Sequence, residues 1–155
     1  MGANVSETCP GESHSCRVCA GAEVTHFGTF EGRYYNRCPR CEATLLDARQ
    51  LPSPDAERAH YLTHENDVSG PGYRAFRGRL VDALLERLRA AQAGLDYGCG
   101  PGPALVAMMR EAGHRMAAYD PFFFPDTACL GDTYQFITCT EVAEHFHFPA
   151  TEFER

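Results

Sequence analysis

Hydrophobic and polar positions change their period several times along this chain, and each change marks an element. Residues 24–35 alternate Thr, Phe and Tyr with polar positions, and Gly28 and Gly32 serve as turns, the pattern of a hairpin. Ser53-Pro54 followed by Asp55 and Glu57 is a helix start: a capping hydroxyl, a proline at the first helical position and acids in the first turn. A short helix to about His64 is predicted, and Ser69-Gly70-Pro71-Gly72 then breaks the chain. Over 73–92 the apolar residues Phe76, Leu80, Val81, Leu84, Leu85 and Leu88 recur at helical spacing, so this stripe should pack on a sheet. An apolar lead-in, Gly94-Leu95, ends in Asp96 and is followed by Gly98, Gly100 and Gly102. A helical stretch at 104–112 stops at Gly113, residues 114–120 read as a short strand ending in an acid, and 134–139 alternates as another strand. Strand, glycine turn, helix and strand in that order form the ligand-binding corner of an α/β sheet.

The glycine spacing narrows the ligand. A dinucleotide fingerprint carries glycines at its first, third and sixth positions, and the sixth position here is Pro103. The glycines instead fall at one, three and five, with Asp96 two residues ahead. Asp120, about 20 residues past the turn, is placed to accept hydrogen bonds from ribose hydroxyls. A second corner follows the 134–139 strand, where Thr140 caps a helical turn starting at Glu141. Glu141, Glu144 and His145 at i, i+3 and i+4 then share one helix face. Two carboxylates and an imidazole suit a divalent cation or a general base; equally, acids in a first turn favour the helix dipole. The polar-aromatic cluster Tyr61, His64, Glu65 and Asn66 suits a cofactor cap or an ordinary solvated loop.

Composition and cysteine spacing add a second module. Cys16-x-x-Cys19 and Cys38-x-x-Cys41, separated by residues 20–37, have the spacing of a zinc ribbon, each pair a knuckle presenting two thiolates. Zinc is the expected occupant, with iron in a rubredoxin-like site the alternative, and Cys9, His14 and His26 are read as ligating nothing. A hydrophobic share of 44% permits a core, while a net charge of −7 argues against a nucleic-acid surface. No apolar run reaches membrane-spanning length, and the N-terminus has no signal-peptide core, although residues 1–6 fit the loose myristoylation pattern. Eight cysteines without a secretory signal indicate a reducing, cytoplasmic setting. The expected organisation is a flexible tail at 1–14, a zinc ribbon at 15–50, a helical connector or cap at 51–92 and a partial Rossmann-like domain at 93–155.

The glycine corner resembles motif I of class I S-adenosylmethionine methyltransferases. The Glu141-Val-Ala-Glu144-His145-Phe146 segment is similar to the Glu-x-x-Glu-His segment of their ubiquinone-biosynthesis-like branch. The four cysteines, His64-Glu65-Asn66, Pro71-Gly72-Tyr73, the glycine corner, Tyr119-Asp120-Pro121-Phe122-Phe123 and residues 137–146 together resemble bacterial methyltransferases with an N-terminal zinc ribbon. That resemblance covers nearly the whole chain. It implies an α/β fold: the N-terminal half of a Rossmann-like class I methyltransferase sheet preceded by a small zinc ribbon. It also implies S-adenosylmethionine and zinc as cofactors and a small-molecule methyl acceptor. Asp96, Gly98, Gly100 and Gly102 are assigned to the methionine end and Asp120 to the ribose. Glu141, Glu144 and His145 are assigned to a second divalent cation or to acceptor deprotonation. Two departures from the family pattern stand out. Residues 121–133 are too short for a full helix-strand-helix, so the adenine-binding acid is curtailed, with Asp126 or the cluster at 122–124 as substitutes. The chain also stops where the class's sheet would continue, which leads to the expectation of an exposed strand edge at 134–139 and of self-association or complementation by a C-terminal half. Alternative readings are a sugar C-methyltransferase, a non-catalytic zinc-binding or partner-binding fragment, and an rRNA methyltransferase, which the acidic charge disfavours.

Overall fold

The computed structural model describes residues 14–64 and 67–155, so the readings made on residues 1–6, Cys9, Glu65 and Asn66 fall outside the described residues. The chain forms two compact units, one from the described residues up to Leu51 together with His147–Arg155, the other Pro52–Phe146.

The first unit is built on an antiparallel sheet of β1 (Thr25–Phe30), β2 (Arg33–Arg37) and β3 (Thr44–Leu46), in that order. Glu31 and Gly32 both take positive φ (51° and 75°), the left-handed pair that a tight two-residue hairpin needs. Gly28 is not a turn; it lies within β1 where the register slips between His26 and Gly28, as at a bulge. Past β3, the buried Asp47 carboxylate accepts the Arg49 backbone N–H (3.0 Å) and two guanidinium N–H groups (2.9 Å each). Residues His147–Arg155, including α4 (Pro149–Phe153), join this unit through Arg17. The Arg17 guanidinium donates to Leu46 O (2.8 Å) and His147 O (2.9 Å), and Arg17 O accepts from Ala150 N (3.1 Å).

The second unit starts with α1 (Pro54–Tyr61), capped as its sequence dictates: Ser53 Oγ accepts the Ala56 N–H at 3.3 Å. Then come α2 (Pro71–Leu85), β4 (Ala93–Tyr97), α3 (Ala104–Glu111), β5 (Arg115–Tyr119) and β6 (Phe136–Thr138). The three strands are parallel in the order β5-β4-β6, so the glycine turn leaves the central strand. Helix α3 ends at Glu111, and Gly113 takes φ 90°, the left-handed stop foreseen for it. The core joins Val81, Cys99, Leu105, Val106, Met109 and Met116, with Leu80, Leu84, Leu88 and Phe136 packed around it.

Helix α2 is shorter than the predicted 73–92, and two residues of its expected stripe face solvent. Phe76 is 53% exposed, its ring under the Arg77 guanidinium at 5.4 Å, and Leu85 sits at the helix end, 39% exposed. The strand expected at 134–139 contracts to Phe136–Thr138, with Gln135 N still donating to Ala93 O (2.9 Å) and the Tyr134 hydroxyl donating to Cys129 O (2.7 Å). The α/β fold thus consists of a three-stranded parallel sheet with its helices in one unit and a four-cysteine ribbon in the other.

Candidate functional site

The glycine turn is fastened to the end of β5 by three successive backbone donors. Gly98 N–H and Cys99 N–H both donate to Tyr119 O (2.8 and 3.0 Å), and Gly100 N–H donates to Asp120 Oδ2 (3.0 Å). Gly98 and Gly100 take φ of 76° and 67°, which admit glycine at low cost. A Cβ at Gly98 would lie 2.5 Å from the Val142 methyls, whereas one at Gly100 would meet nothing within 4 Å. Gly98 is therefore dictated by packing as well as by its φ, while the space beyond the Gly100 Cα is open. Gly102 is buried and its carbonyl accepts from Ala104 N (2.8 Å) at the head of α3.

Asp96 lies beneath this turn, 6% exposed, and accepts the Thr138 hydroxyl at 2.7 Å. Burial pushes its carboxyl above the usual range; the Thr138 hydrogen bond and the Arg77 charge oppose that, and the Asp120 charge adds to it. A pocket opens here, lined by Tyr73 and Arg77 of α2, by Asp96, Gly98 and Cys99, by Thr140 and by the first turn of α3. Arg77 was not singled out from the sequence, where it looks like one more polar position of an amphipathic helix. Its guanidinium stacks on Tyr73 (5.4 Å to the ring) and donates to the Tyr73 hydroxyl (3.4 Å). The Cys99 thiol is pushed up to about 12, first by burial and then by the charges of Asp96 and Asp120, so it is neutral and no nucleophile.

Asp120 is more heavily engaged than the ribose assignment anticipates. Besides Gly100, its Oδ1 accepts from Phe122 N (2.9 Å) and Phe123 N (3.1 Å), and its backbone forms a reciprocal bridge with Phe124. Asp126, suggested for the adenine, caps the 3-10 turn Thr127–Gly131 by accepting from Ala128 N (2.9 Å).

The second corner corrects an expectation. Glu141 has φ 57° and no helix starts there; only a 3-10 turn, Ala143–His145, follows. The i, i+3, i+4 face thus does not exist, and Glu141, Glu144 and His145 do not converge as metal ligands; the second divalent cation is not supported. His145 instead stands edge-to-face with Tyr61 (5.8 Å between ring centroids), which also neighbours Phe122 at 6.1 Å. The Tyr61 hydroxyl donates to Glu57 at 2.6 Å. Burial, then that hydrogen bond and the charges of Glu57, Asp120 and Glu144, push the Tyr61 hydroxyl well above its usual range.

In the ribbon unit the four cysteines converge. The Sγ atoms of Cys16, Cys19, Cys38 and Cys41 all lie within 4.8 Å of one another, and no other such group of three or more metal-ligating side chains occurs among the described residues. Two equivalent knuckles present them: Cys16 N bonds Ala22 O and Ala20 N bonds Cys16 O, as Cys38 N bonds Ala43 O and Glu42 N bonds Cys38 O. Ala20 and Glu42 take matching positive φ, 48° and 62°. The Cys41 N–H, against the opposing effect of burial and with help from the Arg40 N–H, lowers the Cys38 thiol to about 6. Sulfur separations of 3.7 Å (Cys16 to Cys41) and 3.6 Å (Cys19 to Cys38) fit a tetrahedron with metal–sulfur bonds of about 2.3 Å, whose edges are about 3.8 Å. The cluster can hold zinc.

Among the described residues, no helix is long and apolar enough to cross a membrane. Among curated proteins, no sequence matches the chain. A family model described as a methyltransferase domain matches residues 71–155, from the start of α2 through the glycine turn, Asp120 and the 141–146 corner. That match spans more than half of the chain and implies S-adenosylmethionine as the methyl donor. With its parallel sheet and its glycine turn leaving the central strand, the chain belongs to the methyltransferase domain family.

Proposed function

We propose that this chain binds S-adenosylmethionine across the glycine turn and transfers its methyl group to a small-molecule acceptor. One observation carries the reading: a single pocket beside the turn is lined by a guanidinium, Arg77, and a buried carboxylate, Asp96. Opposite charges in one pocket match the carboxylate and ammonium of an amino-acid head group. The commitment of the Gly98, Cys99 and Gly100 N–H groups to β5 points the same way, because a phosphate cradle needs such donors free.

The sulfonium brings an already activated methyl group, so the protein's task is to position donor and acceptor and exclude water. On this reading Arg77 and Asp96 hold the amino-acid end, Gly98, Gly100 and Gly102 allow close backbone approach, and Asp120 offers its remaining acceptor capacity to the ribose. Glu141, Glu144 and His145 are the groups assigned to taking a proton from the acceptor. The Glu141-to-Phe146 segment and the cysteine ribbon support placing the chain near the ubiquinone-biosynthesis-like branch of bacterial zinc-ribbon methyltransferases. Zinc in the four-cysteine site serves to hold a unit too small to build a core of its own.

Calorimetric titration with S-adenosylmethionine tests this reading. Wild-type protein should bind it, and Arg77→Met should weaken binding by about tenfold or more, the cost of a lost charge-assisted pair. Equal affinity for wild type, Arg77→Met and Gly100→Val would place the cofactor elsewhere.

A further inference from the structure

We infer that Asp120 is a positioning residue that holds the glycine turn in its binding conformation, so its carboxylate governs affinity for the amino-acid end of the cofactor as well as for the ribose. The inference rests on the proposed cofactor reading and extends it. Three consecutive N–H groups fasten the turn to β5, but they are not equivalent. Those of Gly98 and Cys99 end on a backbone carbonyl, Tyr119 O, and survive any side-chain change at that position. The Gly100 N–H alone ends on a side chain, Asp120 Oδ2 at 3.0 Å. Gly100 is also where the turn opens: its φ is 67° and the space beyond its Cα is empty to 4 Å. One carboxylate thus sets the orientation of the peptide that faces the ligand.

The other half of the carboxylate explains why this anchor is stiff. Asp120 Oδ1 accepts from Phe122 N and Phe123 N at 2.9 and 3.1 Å, and the residue is 6% exposed. A carboxylate has about four acceptor sites, and three are filled by backbone donors from two segments. Ligand contact and turn geometry therefore draw on the same group.

Asp120→Asn separates the latch on the glycine turn from the anchoring of the loop after β5, and the ribose contact, which falls to the same Oδ2, is cancelled by comparing two ligands that share the ribose. The amide oxygen keeps the two donors at Phe122 and Phe123, which leaves the NH2 group facing the Gly100 N–H, donor against donor. The loop after β5 survives and the latch is broken. Asp120→Ala removes all three acceptors, and its instability alone would not discriminate.

The test pairs two measurements on the full chain. Amide hydrogen exchange in the ligand-free protein should show Gly100 exchanging about tenfold faster or more in Asp120→Asn, with Phe122 and Phe123 little changed. Calorimetry should compare S-adenosylhomocysteine with 5′-methylthioadenosine, which has the same ribose and base but no amino-acid end. Asp120→Asn should weaken S-adenosylhomocysteine about tenfold more than 5′-methylthioadenosine. Equal losses for the two ligands would reduce Asp120 to a ribose contact and overturn the inference, as would unchanged exchange at Gly100. Wild-type protein that binds neither ligand would overturn the cofactor reading, and the affinity coupling with it, whatever the exchange shows.

Discussion

The Thr138 hydroxyl donates to Asp96 Oδ1 at 2.7 Å, and the two residues are direct partners in the parallel pairing of β6 with β4. The sheet thus supplies Asp96 with a hydrogen bond but leaves its charge buried, and burial raises its carboxyl pKa.

Asp96→Asn should separate stability from binding. Asp96 holds its proton more tightly folded than unfolded, so its contribution is fully present below the unfolded value of about 3.9 and declines as pH rises through the raised folded value. Asparagine keeps an acceptor for Thr138 and does not titrate. The melting temperature of the variant relative to wild type should therefore improve from acid to neutral pH, while affinity for S-adenosylmethionine falls. A variant that loses ground as pH rises would contradict the burial argument.

Two glycines of one turn should fail differently. Gly98→Ala combines a left-handed φ with a 2.5 Å approach to Val142, and should destabilise the fold by about 2–4 kcal/mol. Gly100→Ala meets only the backbone penalty of about 1–2 kcal/mol and should stay folded, yet lose cofactor affinity as its methyl enters the open space. Denaturant melts and calorimetry on both variants check this, and an intact Gly100→Ala site would show that no ligand approaches there.

Local chemistry explains what the sequence made legible and what it hid. Glycines with positive φ, the Ser53 cap and the paired Cys-x-x-Cys knuckles are each determined within a few residues, so their spacing revealed them. Arg77 was invisible because its meaning depends on α2 bringing Tyr73 and Arg77 to the pocket beside Asp96, a tertiary relation. The helical face at Glu141 failed for the converse reason. Its i, i+3, i+4 pattern assumed a helix, but Glu141 adopts a left-handed backbone and Gly98, tight against Val142, leaves that segment little freedom. At Asp120 the sequence showed an acid at a strand end, while the three backbone donors it also accepts come from the tertiary fold.

Metal analysis of purified protein should find about one zinc per chain. Cys16→Ser and Cys38→Ser should lose it, whereas Cys129→Ser, outside the cluster, should retain it. Chelation should melt the ribbon unit and leave the parallel sheet's circular dichroism largely intact. Full zinc content in the Cys38 variant would refute the four-thiolate site.

The ribbon unit should also be acid-sensitive through Asp47. Hydrogen bonds from Arg49, against the opposing effect of burial, hold its carboxyl far below the usual range. A depressed folded pKa gives stability that is present above about pH 3.9 and is lost as pH falls toward the folded value. Asp47→Asn should cost about 1–2 kcal/mol at neutral pH, the lower end for a charged hydrogen bond because Arg49 is half exposed, and should flatten the acid dependence. Parallel acid titrations of wild type and variant with the same slope would sink this assignment.

Arg17 joins Leu46 to His147, a partner 130 positions further along the chain. Knuckles and hairpin close over short loops, and each parallel strand pair needs only one crossover. The Arg17 clasp, by contrast, closes a loop that contains all of Pro52–Phe146. Loop closure over such a span is slow compared with hairpin formation. The ribbon unit therefore combines contacts of very different chain separation, and seating α4 carries the largest loop-closure entropy among them.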